Sequence, residues 1–180
     1  MLVERDYTVD TGVLLDAMRQ EQKAHGGFWY VTSPYSHAEK WIQQKRFLQA
    51  AVATGWLIQN GVIAYSPIAH SHPINEACHM EMTAEDWYKF DLHFIDRACG
   101  IVVICMRGFE ESTGIDIECR HAQGQDKPLI CATRRDMPEP AFRLCGPVFY
   151  ENHHFNRPIM LKVRSEMKPI MNMLRRKDGR

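Results

Sequence analysis

The sequence predicts an α/β fold, a three-layer sandwich with a mostly parallel sheet of four to five strands. Two observations predict it. Short runs rich in β-branched and aromatic residues alternate with helical stretches, which is typical of right-handed βαβ units. The run at residues 101–106 (IVVICM) is apolar throughout, as expected for a parallel strand that is buried on both faces.

The amino-terminal part of the chain predicts a short helix followed by the first strand. Apolar residues have helical spacing at Val13, Leu14, Ala17 and Met18. Gly26 and Gly27 break the chain after this helix. Residues 28–33 (FWYVTS) then form a strand, which Pro34 ends because proline has no backbone N–H to donate.

The middle of the chain predicts a long helix, a second strand and a loop. The helix covers residues 37–60 and ends before Gly61. Its buried face is expected to carry Trp41, Ile42, Lys45, Leu48, Ala51, Val52 and Leu57. Residues 62–66 (VIAYS) form the second strand, and residues 67–82, rich in His, Pro and Asn, are predicted to form a loop.

The next part of the chain predicts two helices and two strands. Thr83 is a candidate N-cap for the first of these helices. Residues 101–106 supply the third strand, and a second helix follows at residues 114–123. Residues 127–132 (KPLICA) form the fourth strand.

One domain is expected to span all 180 residues. Its Rossmann-like core lies at residues 26–132, with residues 1–25 as an amino-terminal helical extension. Residues 133–180 form an irregular segment, with a fifth strand near residues 143–150, and then a terminal helix. The apolar side of that helix, rich in Met, is interpreted as a packing or dimer face.

Composition and charge exclude several classes of function. Lys and Arg together number 22, as do Asp and Glu, so no overall positive charge favours a nucleic-acid polymer. No apolar run approaches the roughly 20 residues of a membrane helix, and no secretory signal pattern is present. The six cysteines contain no CxxC pair and are expected to be reduced thiols. These features predict a cytoplasmic protein without a membrane partner.

Three loops follow the carboxyl ends of predicted strands, where open parallel sheets bind ligands. They lie at residues 33–37, 67–73 and 107–114. In the last, Ser112 and Thr113 open a helix whose free N–H groups suit an anion. Simple N-capping by either side chain is an equally good interpretation, and both roles can coexist.

Two carboxylates lie in the same part of the chain. Glu118 is one turn into the helix that follows Gly114, and Ile115 and Ile117 indicate that this helix is largely buried. Asp91 lies between apolar neighbours on the preceding helix. A buried carboxylate needs either a partner or a chemical task. Two that meet in one pocket suit the chemistry of a glycosidic bond.

Four segments carry a resemblance to a known family: FWYVTSPYSH, GVIAYSPIAHSHPI, WYKFDLHFID and GFEESTGIDIECRHAQGQDKPL. They resemble the nucleoside 2-deoxyribosyltransferase superfamily, and most closely its DUF1937-like branch, with features of 2'-deoxynucleoside 5'-monophosphate N-hydrolases. The resemblance covers residues 28–132. It implies a Rossmann-like fold and a glycosylase without a cofactor or a metal. It also implies a homodimer or higher homo-oligomer, because a neighbouring subunit often completes the pocket in that superfamily.

The resemblance implies roles for individual residues. Glu118 takes the position of the nucleophile that attacks the anomeric carbon and expels the base, and Asp91 takes the position of the aspartate near base and sugar. Tyr30 falls on the tyrosine that orients the nucleophile. Ser112 falls on the serine that meets the 5'-phosphate in the hydrolases, so the expected substrate is a nucleoside 5'-monophosphate or deoxynucleotide. Either water or a second base would accept the sugar, by hydrolysis or transfer.

The chain departs from the family pattern at two places. The Gly-rich phosphate loop of the hydrolases is replaced after strand one, where Ser33, Ser36 and His37 are candidate phosphate donors. Tyr35 or Trp29 is expected either to stack on a base or to pack in the core. The usual Ala-Asp before the third strand is Ala98-Cys99.

The histidine-rich loop leaves three interpretations open. His70 and His72 are candidate ligands for a base or a phosphate. With His79 and Cys78 they form a candidate zinc site, although their spacing matches no closed site. The loop is otherwise a surface or packing segment. A non-catalytic nucleotide sensor on the same fold is the alternative to an enzyme.

Overall fold

Helices and strands alternate along the chain in the computed structural model, which describes residues 11–133 and 143–145. The elements are α1 (Thr11–His25), β1 (Trp29–Thr32), α2 (Lys40–Gln59), β2 (Ala64–Tyr65), α3 (Pro67–Cys78), α4 (Ala84–Arg97), β3 (Gly100–Cys105), α5 (Thr113–Gly124), β4 (Leu129–Thr133) and β5 (Arg143–Cys145). The predicted terminal helix at residues 158–177 lies outside the described residues.

The five strands form one sheet in the order β2-β1-β3-β4-β5. Strands β1 to β4 are parallel, and β5 pairs with β4 antiparallel. Tyr30 of β1 pairs with Ile101 of β3, which fixes the register of the two central strands. The predicted α/β class, with a mostly parallel sheet of four to five strands, is confirmed.

Side chains that alternate along β1 separate two apolar cores on the two faces of the sheet. Trp29 and Val31 lie in one core with residues of α1 and α2, while Tyr30 lies in the other with residues of α4 and α5. The indole N–H of the fully buried Trp29 donates to the carbonyl of Met18 at 3.1 Å. The helices therefore cover both faces, as a three-layer sandwich requires.

The predicted buried face of α2 is wrong, except for Leu57. Trp41 is 62% exposed and Leu48 is 52% exposed. The buried residues of α2 are Ala50, Ala53, Thr54 and Leu57, of which Ala53 and Leu57 lie in the same core as Val31 of β1. Small side chains let the helix approach the strands closely, and the Thr54 hydroxyl is satisfied by the Ala50 carbonyl at 2.8 Å. Trp41, Leu48 and Val52 of the predicted pattern are exposed to solvent.

The predicted loop after β2 is also wrong over most of its length, because residues 67–78 form α3. Ser66 caps this helix by accepting from the Ala69 N–H at 3.2 Å. Pro67 stands at the start, where a missing N–H costs nothing. A proline-rich segment thus forms a helix because its first proline occupies the position that tolerates it.

Other predicted boundaries are close to those observed. Thr83 caps α4 and forms a reciprocal capping box with Asp86. None of the described helices is both long enough and apolar enough to cross a membrane.

Candidate active site

A pocket of about 470 Å³ lies at the carboxyl ends of the parallel strands. The three segments predicted to meet there do so, since its walls come from the β1 loop, from α3 after β2 and from the β3 loop. Eight predicted site residues line it: Ser33, Tyr35, Ser36, His72, Asp91, Ser112, Gly114 and Glu118. A volume of this size suits a small organic ligand.

Glu118 is held by two hydroxyl groups on β1. Its side chain is buried, with 7% exposed. The Tyr30 hydroxyl donates to Oε1 at 2.7 Å, and the Thr32 hydroxyl donates to Oε2. Tyr30 itself does not line the pocket and lies behind the carboxylate. The two donors fix the orientation of both carboxylate oxygens.

The pKa of Glu118 reflects a balance between burial and these hydrogen bonds. Burial raises its pKa to about 7, and the hydrogen bonds from Thr32 and Tyr30 oppose that rise because they favour the charged form. Glu118 therefore changes between its protonated and ionised forms near neutral pH. Burial, together with the Glu118 charge, also raises the pKa of Tyr30 well above its usual value.

Asp91 projects from α4 into the same pocket. It is buried, and its Oδ1 has no hydrogen-bond partner among the described residues. Burial raises its pKa to about 8, with a further contribution from the Glu118 charge. Between these two pKa values, Asp91 holds a proton while Glu118 is ionised.

The start of α5 presents hydrogen-bond donors to the pocket. Ser112 is the N-cap, and its Oγ accepts from the Ile115 N–H at 3.5 Å. The N–H groups of Thr113 and Gly114 have no acceptor among the residues that the structure describes. A Cβ at Gly114 would lie 3.4 Å from Cε1 of Tyr88, which is an ordinary van der Waals contact.

Tyr35 and His72 form a hydrogen-bonded pair in the pocket wall. The Tyr35 hydroxyl lies 2.7 Å from Nδ1 of His72, and the other ring nitrogen lies 2.9 Å from Oε1 of Gln44. The imidazole also stacks on Phe47, with ring centroids 4.3 Å apart. Both ring nitrogens are thus engaged within the wall.

The comparison with protein families identifies the domain. A family described as "Domain of unknown function (DUF1937)" matches residues 27–133. The chain belongs to the DUF1937 family. No curated protein matches the chain significantly. The matched range contains β1 to β4 and every residue of the pocket wall.

Three predicted site residues lie outside the wall of the DUF1937 pocket. Tyr30 contacts the pocket residue Glu118 through its hydroxyl group. His37 accepts from the Glu39 N–H at 3.0 Å, ahead of α2. His70 is exposed and lies parallel to the Phe90 ring.

His79, a member of the candidate zinc site, is the left-handed C-cap of α3. Among the described residues, no group of three or more His, Cys, Asp or Glu side chains could hold a metal ion. The predicted stacking alternative for Trp29 is wrong because this residue is fully buried in the core.

Sequence reasoning missed several residues of the DUF1937 site. Thr32 had a signal, because it lies two residues after Tyr30 and therefore on the same side of β1. No sequence signal indicates Arg46, because a cation in the first half of a long helix is usually a solvated residue. The other lining residues not predicted are Pro34, Ile68, Ser71, Asn75, Ala84, Trp87, Tyr88, Gly108, Glu111, Thr113 and Ile115.

Proposed function

We propose that this protein cleaves the N-glycosidic bond of a nucleoside 5'-monophosphate or deoxynucleotide, with Glu118 as nucleophile. One observation carries the proposal: a buried carboxylate at the pocket is oriented by two hydroxyl donors and lies near a second carboxyl group of higher pKa. Enzymes separate acid and base roles in this way. The resemblance to the nucleoside 2-deoxyribosyltransferase superfamily supports the same assignment.

In the first step, an oxygen of ionised Glu118 forms a bond to the anomeric carbon of the sugar. The bond from this carbon to the base nitrogen breaks, and the base leaves with the electron pair. Protonated Asp91 supplies a proton to the departing base. The products of this step are the free base and a glycosyl ester of Glu118.

In the second step, an acceptor displaces Glu118 from the anomeric carbon. With water as acceptor, ionised Asp91 takes up the proton that the water loses, and the free sugar phosphate leaves. With a second base as acceptor, a ring nitrogen of that base forms the new bond to the anomeric carbon, ionised Asp91 takes up the proton that the base loses, and a new nucleotide forms. Both routes restore the ionised Glu118 and the protonated Asp91, so neither needs a cofactor or a metal.

The remaining pocket wall suits a nucleotide. Trp87 and Tyr88 offer aromatic surface for a base, and Asn75 offers an amide that both donates and accepts. Ser112 and the free N–H groups of α5 suit a phosphate. Ser33 and Ser36 of the β1 loop offer further hydroxyl groups.

We further propose that the protein forms a homodimer or higher homo-oligomer in the cytoplasm. The exposed apolar residues of α2, Trp41, Leu48 and Val52, provide a surface that a second copy would cover. Light scattering after gel filtration measures the mass in solution. A monomer at micromolar concentration would contradict this part of the proposal.

The activity is tested by incubating the full chain with a panel of ribo- and deoxynucleoside monophosphates and following free base by chromatography. We expect release by the native protein and at least a roughly 1000-fold slower release by Glu118→Gln. Glu85→Gln is the matched control, because Glu85 is an exposed partner of Lys89 on α4. Release at the native rate in Glu118→Gln would refute the mechanism, and tight binding without any release would favour a nucleotide sensor.

A further inference from the structure

Arg46 carries a positive charge into the pocket wall and pairs with no carboxylate in the part of the chain that the structure describes. Its Nη1 donates to the Ser36 carbonyl at 2.6 Å and to the Tyr35 carbonyl at 3.4 Å. Its Nη2 donates to the Arg107 carbonyl at 3.4 Å. Arg46 forms no ion pair with any described residue. The guanidinium is therefore held in position by backbone carbonyls, and no carboxylate of the described residues compensates its charge.

The β3 loop is shaped to accommodate this guanidinium. Gly108 has φ of 91°, a conformation that glycine adopts without steric cost. A Cβ at Gly108 would overlap Nη2 of Arg46. Arg46 thus joins the loop after β1 to the loop after β3, and a side chain at residue 108 would displace it.

Other donors in the pocket have no acceptor. The Oγ of Ser33 has no hydrogen-bond partner among the described residues, although 93% of this residue is buried and it lines the pocket. The N–H groups of Thr113 and Gly114 are likewise unused within the described residues. A cation and several unsatisfied donors from three different segments make a binding site for an anion with several oxygens.

The pocket carboxylates lie apart from this cation. The described hydrogen bonds of the Arg46 guanidinium go to carbonyl groups of the β1 and β3 loops, and it forms no ion pair with Glu118 or Asp91. The third carboxylate of the wall, Glu111, is exposed and forms no ion pair with Arg46. The pocket therefore has an acidic part and a separate cationic part, as a ligand with a reactive carbon and a distant anion requires.

We propose that Arg46 binds the 5'-phosphate of the substrate, together with Ser33 and the N-terminus of α5. Substrates are then phosphorylated, and unphosphorylated nucleosides are discriminated against. This inference rests on the proposed function, since it places the sugar between Arg46 and Glu118. The Arg46 guanidinium supplies the charge, and the hydroxyl and backbone N–H groups complete the hydrogen bonds.

A probe without a base tests the proposal. Calorimetric titration of the full chain with 2-deoxyribose 5-phosphate is compared with titration with 2-deoxyribose. We expect measurable binding of the phosphate and binding of the free sugar that is at least about 10-fold weaker. In Arg46→Gln, affinity for the sugar phosphate falls by about 10- to 100-fold, while affinity for the sugar is unchanged.

Two further variants separate lost charge from lost structure. Arg46→Lys keeps the charge and is expected to bind the phosphate with intermediate affinity. Gly108→Ala keeps the guanidinium but displaces it, so it also weakens phosphate binding. Arg97→Gln is the matched control, because exposed Arg97 donates to its own helix at the His93 carbonyl. Thermal unfolding of each variant confirms that the fold is retained.

The outcomes distinguish this inference from the proposed function. Equal affinity of the native protein for sugar and sugar phosphate, a comparison that needs no variant, would overturn the Arg46 assignment while base release could still stand. An unchanged phosphate affinity in Arg46→Gln would do the same. Selective phosphate binding that depends on Arg46, without base release from any nucleotide, would uphold the phosphate site and overturn the catalytic function.

Discussion

The hydroxyl of Tyr30 donates a 2.7 Å hydrogen bond to Oε1 of Glu118, which lies 88 residues later in the chain. A residue of β1 thereby orients a residue of α5, the helix that follows the neighbouring strand β3. Thr32 does the same for the other carboxylate oxygen. Because both donors favour the ionised carboxylate, they lower the pKa of the proposed nucleophile as well as positioning it.

Removal of these donors is expected to raise the pKa of Glu118 further and to slow base release by about 10- to 100-fold each. Tyr30→Phe and Thr32→Val are the two changes. The pH dependence of the rate is the measurement, since its acidic limb follows the pKa of Glu118. Thr54→Val serves as control, because it removes a buried hydroxyl that bonds only within α2. An acidic limb that does not move in either variant would contradict the assigned role.

The pH-rate profile of the native protein is expected to be bell-shaped, with its maximum between pH values of about 7 and about 8. Activity rises as Glu118 ionises, with a pKa of about 7, and falls as Asp91 loses its proton, with a pKa of about 8. Asp91→Asn removes the alkaline limb and lowers the maximum. Rates measured from pH 5 to 10, a range chosen to span about two units on either side, test this. A native profile that rises steadily to pH 10 would exclude Asp91 as the acid.

The free energy of unfolding is expected to fall as pH rises from about 4 to about 8. Both carboxyl groups have a higher pKa in the folded protein than the usual value near 4, so the folded state binds more protons than the unfolded state over this window. The penalty for burying each charge is absent below the unfolded pKa of about 4, grows as pH rises above it, and is complete once pH passes the folded pKa of each group. Urea unfolding at several pH values measures the slope.

Glu118→Gln is expected to be more stable than the native protein at pH 8 by about 1–3 kcal/mol, with little difference near pH 5. Glu85→Gln is the control, since Glu85 is exposed on α4. Equal native and Glu118→Gln stabilities at pH 8 would show that burial of this charge carries no cost.

Ala53, on the buried face of α2, is expected to tolerate no larger residue. Ala53→Leu inserts three carbons at a position that is 2% exposed, and it should destabilise the fold by about 1–3 kcal/mol. Leu48→Ala, on the exposed side, should change stability by less than about 0.5 kcal/mol in a monomer. Denaturant unfolding compares the two variants. A larger loss of stability in Leu48→Ala than in Ala53→Leu would instead support the buried face that the hydrophobic pattern predicts.

The sequence predicts the sheet and its helices because β-branched runs and helical spacing are local signals. The uninterrupted run that becomes β3 and the capping residue Thr83 are examples. The prediction of the buried face of α2 fails because hydrophobic periodicity gives weight to large apolar residues, whereas the buried residues of this helix include Ala50 and Ala53. Hydrophobic periodicity also fails for α3, where the position of Pro67 relative to the Ser66 cap decides between helix and loop.

The carboxylates of the site are predictable because a charge in an apolar stretch is conspicuous in the sequence. Glu118 and Asp91 are predicted as site residues in this way, and both lie in the pocket. Arg46 is different, since its contacts with Ser36 and Arg107 depend on how two loops meet at the end of the sheet. Long-range relations of this kind leave no local pattern.

The alternation of side chains along β1 makes the site a reporter of strand alignment. Tyr30 and Thr32 face Glu118, while Trp29 and Val31 face the opposite core. A shift of β1 by one residue against β3 would turn Trp29 and Val31 toward the carboxylate and leave it without donors. A misaligned protein would keep its secondary structure and leave the proposed nucleophile without its hydrogen-bond donors. The proposed base release would therefore report only correctly aligned molecules, whereas circular dichroism would report all of them.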